Sequence, residues 1–258
     1  MSIEKEILMT MLSFDLTDTK SILTMFSELD GAVSHLDGEK NNFVYVPGSR
    51  EDSVVLVAHT DTVWDSFYLK NGFWGNKYIV DNLVKDHKPK WENGRIHQGG
   101  SELFGLGADD RAGCAMLYLL KNSGHSLLIT DGEEHGQIGA NYLMTYYPDI
   151  AAELNAHQYM IQLDRQGSSD YKTYRLNITE EFCRFIETET GYTNAGQNSR
   201  TDIVTLCRRI CGVNLSIGYY HEHTSQEYLV YEEWYKTYEI VKEMLKKPQP
   251  FFSLNELC

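Results

Sequence analysis

Short, uninterrupted apolar runs alternate with longer amphipathic stretches, and this alternation restricts the possible fold more than any other feature. Four runs have the length and continuity of strands buried on both faces of a sheet: VVLVA (54–58), LLIT (127–130), YMIQL (159–163) and NLSIGYY (214–220). Stretches with the spacing of covering helices lie at 111–122, 138–155, 179–190, 199–211 and 225–246. We therefore predict an α/β fold with three layers, α-β-α, around a mostly parallel central sheet.

The whole chain, residues 1–258, is expected to form one domain, since a compact fold of this length buries roughly 75% of its unfolded surface. Residues 1–30 predict a pair of helices, with Asp18 near the start of the second. The segment 62–104 interrupts the alternation with an aromatic-rich part and then a polar part. We interpret it as a long excursion over one edge of the sheet, with room for a small hairpin.

The formal net charge of -14 disfavours nucleic acid and anionic membrane as partners, and it favours cations and substrates with a free amine. The N-terminus has neither a long apolar run nor a signal-peptide pattern, so we expect a cytoplasmic protein. The scattered cysteines form no CxxC pair, which indicates reduced thiols, and two of them lie four residues apart on the predicted helix 199–211. The cysteines are Cys114, Cys183, Cys207, Cys211 and Cys258.

Ionisable side chains follow each predicted buried strand. In chain order they are His59 and Asp61; Asp131, Glu133 and Glu134; Asp164; and His221, Glu222 and His223. Two further carboxylates, Asp109 and Asp110, lie in the glycine-rich stretch GLGADDRAG. Ligands of open α/β sheets bind beyond the carboxyl ends of the strands, so these groups are expected to converge there.

Imidazole and carboxylate ligands without thiolate suit zinc, manganese or cobalt. Two such ions about 3.5–4 Å apart need a bridging carboxylate, and Asp109 in its glycine-rich turn can approach both. The adjacent residues Glu133 and Glu134 point in different directions. One can therefore bind metal while the other faces the water to be activated.

Five motifs together resemble the co-catalytic zinc peptidases of the aminopeptidase and peptidase T type, in the M20, M28 and M42 groups. The motifs are AHTDTV, GLGADDRAG, TDGEEHGQIGA, QLDR and HTSQE, and they occur in the same order from about residue 7 to the C-terminal helix. The resemblance implies a zinc-peptidase-like fold of the phosphorylase/hydrolase type and two bound metal ions. It also implies metal ligands at five matching positions: His59, Asp109, Glu134, Asp164 and His223.

Within that resemblance, Asp109 would bridge the two metals, and Asp61 would orient His59 by accepting its second ring hydrogen. Glu133 would be the general base that deprotonates the bridging water and passes the proton to the leaving amine. The motif HTSQE favours His223 as the ligand, with His221 as the alternative.

Two neighbours of the site have other expected positions. Asp110 would fix the loop rather than bind metal. His135 is either near the metals or a solvated loop residue.

The implied function is a metal-dependent exopeptidase, an aminopeptidase or a di- or tripeptidase acting on peptides with a free N-terminus. In these families an aspartate at the position of Asp164 accompanies aminopeptidases and dipeptidases. A glutamate there is commoner in carboxypeptidases and deacylases. The alternatives are an N-acyl amino acid deacylase or aminoacylase with the same site, and a non-catalytic binding protein on a peptidase scaffold.

The chain departs from these families because it has room neither for the M20 lid and dimerisation domain nor for a full M42 β domain. It resembles a catalytic domain alone, closer in architecture to M28 enzymes, and its oligomeric state is open. Candidate substrate contacts are Asn198, Arg200 and Asp202, with Tyr219 or Tyr220 facing the oxyanion. Aromatic residues that either wall a substrate pocket or pack the long loop are Trp64, Phe67, Tyr68, Phe73 and Trp74.

Overall fold

Buried strands in parallel register form the centre of the molecule. The computed structural model describes residues 2–65, 87–100 and 102–255. Its strands are β1 (Val33–His35), β2 (Phe43–Val46), β3 (Val55–His59), β4 (Pro89–Glu92), β5 (Arg95–Gln98), β6 (Ser126–Thr130), β7 (Met160–Arg165), β8 (Asp170–Lys172), β9 (Thr193–Asn194), β10 (Gly212–Ser216), β11 (Tyr219–Tyr220) and β12 (Tyr228–Val230). Its helices are α1 (Ile3–Ser13), α2 (Lys20–Ser27), α3 (Ala108–Leu119), α4 (Ile138–Tyr146), α5 (Pro148–Leu154), α6 (Glu180–Thr190), α7 (Asp202–Leu206) and α8 (Tyr231–Leu245).

The main sheet has eight strands in the order β1-β2-β6-β3-β7-β10-β8-β9. Strands β6, β3, β7 and β10 run parallel at its centre. On either side, β2 pairs with β6 and β8 pairs with β10 in antiparallel register. The predicted α/β fold with a mostly parallel sheet is therefore confirmed, and the carboxyl ends of the four parallel strands meet at one edge.

Helices cover both faces of this sheet because successive residues of a buried strand point to opposite sides. From β3, Leu56 and Ala58 pack into the cluster that contains residues of α1, α3 and α8. Val55 and Val57 pack into the cluster that contains residues of α4, α5 and α7. Among the described helices, none combines the length and the apolar character needed to cross a lipid bilayer.

Two local predictions are wrong. The run NLSIGYY is not one strand, since β10 and β11 belong to different sheets and Gly218 turns the chain between them with φ of 90°. The predicted helix 199–211 is reduced to α7, so Cys207 and Cys211 do not share a helix. Helix α7 ends early because the backbone N–H groups of residues 208 and 209 donate to Asn155 Oδ1, at 2.7 and 3.0 Å, instead of to carbonyl groups of the helix.

The segment 62–104 is described at residues 62–65, 87–100 and 102–104. There β4 and β5 form a hairpin that joins β11 and β12 in a four-stranded sheet, order β11-β12-β5-β4. His87 connects this part to α1, because its Nε2 lies 2.6 Å from the carbonyl oxygen of Leu12. Of the candidate aromatic residues, Trp64 is half-buried, and the other four lie outside the described residues: Phe67, Tyr68, Phe73 and Trp74.

Candidate metal centre

A cavity of about 290 Å³ opens at the carboxyl edge of the parallel strands. Its acidic lining groups are Asp109, Glu133, Glu134, Asp164 and Glu222, and His223 lines it beside them. Basic groups in the same wall are Arg165, Lys172 and Arg200. Five of the strand-end residues that the sequence singled out therefore line one cavity: Glu133, Glu134, Asp164, Glu222 and His223.

Asp109 faces two imidazole rings at once. Its Oδ1 lies 3.2 Å from His59 Nε2, and its Oδ2 lies 3.2 Å from His223 Nε2. Asp164 Oδ1 is 3.4 Å from His59 Nε2, and Glu134 Oε1 is 3.1 Å from His223 Nε2. The five residues thus form two groups of candidate metal ligands that share Asp109, and we call these groups the two ligand sets.

These ligand sets fit divalent metal ions. Glu134 Oε1 is buried and has no hydrogen-bond partner among the described residues, although the ring of His223 is close enough to donate one. Ligands of a tetrahedral zinc ion, each about 2.0–2.1 Å from the metal, lie about 3.3 Å apart. Nitrogen-to-oxygen distances within the two sets run from 3.1 to 3.4 Å. Imidazole and carboxylate donors without sulfur also suit manganese and cobalt.

The loop that carries Asp109 is held from both ends. The buried carboxylate of Glu227 accepts the backbone N–H of Gly107 at 2.6 Å and that of Asp109 at 3.1 Å. Asp109 and Asp110 have non-helical dihedrals inside α3, and the peptide bond between them is cis. Asp110 accepts backbone N–H groups with both oxygens, from His59 and from Gly113, each at 3.1 Å. Asp110 therefore holds the loop to β3, and its carboxylate also lies close enough to His59 and Asp164 to join them around a metal ion.

Asp61 connects His59 to the loop that carries Glu133 and Glu134. The Nδ1 of His59 lies 3.1 Å from the backbone oxygen of Asp61 and 3.3 Å from its Oδ1. The same carboxylate accepts the backbone N–H groups of Glu133 and Glu134 at 3.1 and 3.2 Å. One fully buried carboxylate thus fixes the ring orientation of His59 and the backbone of both glutamates.

Of the two candidate histidines in the HTSQE region, His223 faces the cavity. His221 does not line it, and its ring lies 5.6 Å from the ring of Tyr228. His135 also stays outside the two ligand sets, with its Nε2 at 3.4 Å from Asp65 Oδ1.

Three side chains orient Asp164. Its Oδ2 accepts hydrogen bonds from Gln162 Nε2, Asn214 Nδ2 and Thr201 Oγ1 at 3.0, 3.0 and 3.1 Å, which leaves Oδ1 facing His59. None of these three residues is among the candidates that the sequence motifs indicate. A usable signal existed for two of them, since Gln162 and Asn214 are polar residues inside strands buried on both faces.

The closely spaced carboxylates of the cavity raise one another's pKa values. Burial raises the pKa of Glu133, and the charges on Asp202 and Asp164 raise it further. Burial and the charge on Asp109 raise the pKa of Glu134 to about 8. Within the described residues, the side chain of Glu133 forms no hydrogen bond with another residue. A bound cation would stabilise the ionised forms of such a cluster.

The candidate substrate contacts divide into two groups. Arg200 and Tyr219 line the cavity, whereas Asn198, Asp202 and Tyr220 do not. Tyr219 donates its hydroxyl hydrogen to the carbonyl oxygen of Asp164 at 2.7 Å, so it is not free to face an oxyanion. Asp202 is buried and accepts the hydroxyl of Thr130, and the hydroxyl of Tyr220 donates to Glu233 at 2.5 Å. Asn198 is exposed, and its backbone oxygen accepts from Lys172.

No protein-family model matches the sequence, and a search of curated proteins returns no match. Solved structures do share the fold. The aminopeptidase PepT of Bacillus cereus is 17% identical with a TM-score of 0.60, over 95% of this chain and 98% of that one. A tripeptidase of Staphylococcus aureus is 14% identical with a TM-score of 0.60, over 95% and 98% of the two chains. An aminopeptidase of the archaeon Desulfurococcus kamchatkensis is 14% identical with a TM-score of 0.63, over 96% and 95%.

Proposed function

We propose that this chain is a metal-dependent exopeptidase, an aminopeptidase or a di- or tripeptidase, with two divalent metal ions. One observation carries the proposal: the two oxygens of Asp109 face separate ligand sets in a cavity that is also lined by Glu133, whose carboxylate forms no hydrogen bond with a described residue. Proteins of the same fold that are described as aminopeptidases and as a tripeptidase support the same class of activity.

One metal ion would be held by His59, Asp109 and Asp164, and the other by Asp109, Glu134 and His223. Zinc is the first expectation for this donor set, and manganese and cobalt also suit it. Such ions, when bound, lower the pKa of a water molecule and polarise the carbonyl group of a substrate.

Glu133 would act as the general base. Its carboxylate would accept a proton from the attacking water and return that proton to the leaving amine. Burial and neighbouring carboxylates raise the pKa of Glu133, which makes its ionised form a stronger base. Asp61 would contribute by holding His59 and the Glu133 backbone in their relative positions.

A substrate with a free N-terminal amine suits the acidic side of the cavity. Glu222 lines the cavity, belongs to neither ligand set and was not among the sequence candidates for binding substrate. Its carboxylate can pair with an ammonium group, and the net charge of -14 attracts cationic groups over longer distances.

The first test combines metal analysis with a substrate panel. Protein purified without chelator is expected to contain two metal ions per chain and to hydrolyse aminoacyl chromophores, dipeptides or tripeptides. Glu133→Gln should retain both ions and lose about 10²–10⁴-fold in kcat, the usual contribution of a general base. Glu181→Gln, an exposed change on α6, is the matched control and should be fully active.

Two results would contradict the proposal. Protein that binds no metal after reconstitution would exclude a two-metal hydrolase. Hydrolysis of N-acyl amino acids without hydrolysis of any peptide would identify a deacylase with the same site.

A further inference from the structure

A second cavity of about 500 Å³ adjoins the catalytic one, and its wall is rich in arginine. Its lining residues are Arg175, Ser199, Arg200, Val204 and Arg208, with no acidic residue among them. Ser199 and Arg200 line both cavities, so the two spaces share a wall. We call the second space the arginine cavity.

Arg175, Arg200 and Arg208 are exposed to solvent, and their guanidinium groups have few partners among the described residues. Within the described residues, Arg175 and Arg208 take part in no ion pair and no side-chain hydrogen bond. Arg200 has one long contact, 3.4 Å to Gln137 Oε1. The chain has 37 acidic and only 23 basic side chains, and three arginines that form no ion pair with any described residue lie together in one wall. Their charges favour an anionic ligand there. Guanidinium groups of this kind bind carboxylates through two parallel hydrogen bonds.

The backbone around these arginines is tied to the candidate metal ligand Asp164. Thr201, next to Arg200, donates its hydroxyl hydrogen to Asp164 Oδ2 at 3.1 Å. Tyr174 is next to Arg175, and its hydroxyl accepts a hydrogen bond from the side-chain amide of Asn214 at 2.8 Å. The same amide group donates to Asp164 Oδ2 at 3.0 Å. The arginine cavity therefore has a defined position relative to the catalytic cavity.

The third arginine is held through its own backbone. The N–H of Arg208 donates to Asn155 Oδ1 at 2.7 Å, directly after α7. Helix α7 begins at Asp202, two residues after Arg200. A short helix with both ends anchored thus connects two of the three arginines.

We propose that the arginine cavity binds the free carboxylate at the far end of the substrate. This inference rests on the proposed peptidase function and adds the substrate class, which is short peptides with a free C-terminal carboxylate. The amine end would lie on the acidic side of the catalytic cavity, near Glu222, and the chain of the peptide would pass Ser199 and Arg200. The acidic and basic walls would then select both the direction and the length of the peptide.

The test compares one tripeptide as the free acid and as the C-terminal amide. For the wild-type protein we expect kcat/KM to be about ten- to a hundredfold higher for the acid, through a lower KM, because charge-assisted hydrogen bonds are lost with the amide. The double variant Arg175→Gln/Arg208→Gln should lose most of the preference for the acid, because only Arg200 of the three arginines remains. Arg209→Gln removes an exposed arginine next in the chain that does not line the cavity, and it should keep the preference.

Calorimetry with the metal-loaded chain and the same two peptides separates this proposal from the peptidase proposal. Tighter binding of the acid that requires Arg175 and Arg208 supports the carboxylate site even if neither peptide is hydrolysed. Equal binding and equal hydrolysis of acid and amide by the wild-type protein would overturn it, as would a preference that survives the double variant undiminished. Arginine-dependent binding of inorganic phosphate, with no difference between the peptides, would assign the cavity to a free anion and also overturn it.

Discussion

Glu227→Gln should weaken the loop that carries Asp109. The carboxylate of Glu227 is 2% exposed and accepts two backbone hydrogen bonds, from Gly107 at 2.6 Å and from Asp109 at 3.1 Å. Glutamine keeps one acceptor oxygen, so one of these buried N–H groups would face an amide N–H₂ group. A lost hydrogen bond to a charged group is worth about 1.5–3 kcal/mol, and relief of repulsion between two carboxylates offsets part of that loss.

We therefore expect the metal-free variant to lose about 1–3 kcal/mol of unfolding free energy. Its metal affinity should fall about 10–100-fold, as is typical when a group that orients a ligand is changed. Urea unfolding without metal measures the first quantity, and titration against a chromophoric chelator measures the second. Gln226→Ala, an exposed neighbour, should stay within about 0.5 kcal/mol of wild type.

The two measurements test different parts of the reasoning. If Glu227→Gln has the same unfolding free energy and the same metal affinity as Gln226→Ala, Glu227 neither stabilises the fold nor positions Asp109. Reduced stability with unchanged metal affinity would show that Glu227 supports the fold without positioning Asp109.

Three further perturbations probe separate parts of the molecule. Gly113→Ala should cost about 3 kcal/mol or more in urea unfolding, because a Cβ there would lie 2.0 Å from the carbonyl oxygen of Leu163 and push α3 away from β7. Burial lowers the pKa of His87 from 6.5 to about 4, so the unfolded state binds more protons between these values. The wild-type protein should therefore lose about 3 kcal/mol of stability from this group as the pH falls from 6.5 to 4, and His87→Gln should lose less over the same range. Glu222→Gln should raise KM about tenfold for substrates with a free amine, with a smaller effect on kcat, since it removes one charge-assisted contact.

Each of these expectations has a clear contrary result. Wild-type stability of Gly113→Ala would mean that the contact between α3 and β7 is looser than the structure describes. Parallel pH profiles of wild type and His87→Gln would exclude His87 as a source of acid sensitivity. An unchanged KM for Glu222→Gln would remove Glu222 as the amine contact.

The sequence was informative about the fold wherever apolar runs were long and continuous. The runs at 54–58, 127–130 and 159–163 all became central parallel strands, because side chains buried on both faces leave no alternative pattern. It was misleading at 214–220 and at 199–211. There a turn at Gly218 and the side chain of Asn155 decided where elements ended, and neither acts through local periodicity.

For the candidate site, the strand pattern predicted where three of the ligand candidates would meet. Parallel strands bring their carboxyl ends to one edge, so ionisable residues placed directly after them converge whatever the loops do. His59 and Asp164, at the ends of β3 and β7, and Glu134, after β6, follow this rule. Asp109 and His223 do not directly follow a parallel strand, and the resemblance of their motifs to those of zinc peptidases is what pointed to them.

Only the tertiary structure decided which partner each side-chain oxygen of the site contacts. It showed that one oxygen of Asp164 is taken by three hydrogen bonds while the other faces His59, and that Tyr219 has already donated its hydroxyl hydrogen. It also brought Arg175, Arg200 and Arg208 into one wall. Periodicity encodes which face of an element is buried, but contacts between residues far apart in the chain depend on how the elements pack, and local sequence does not contain that information.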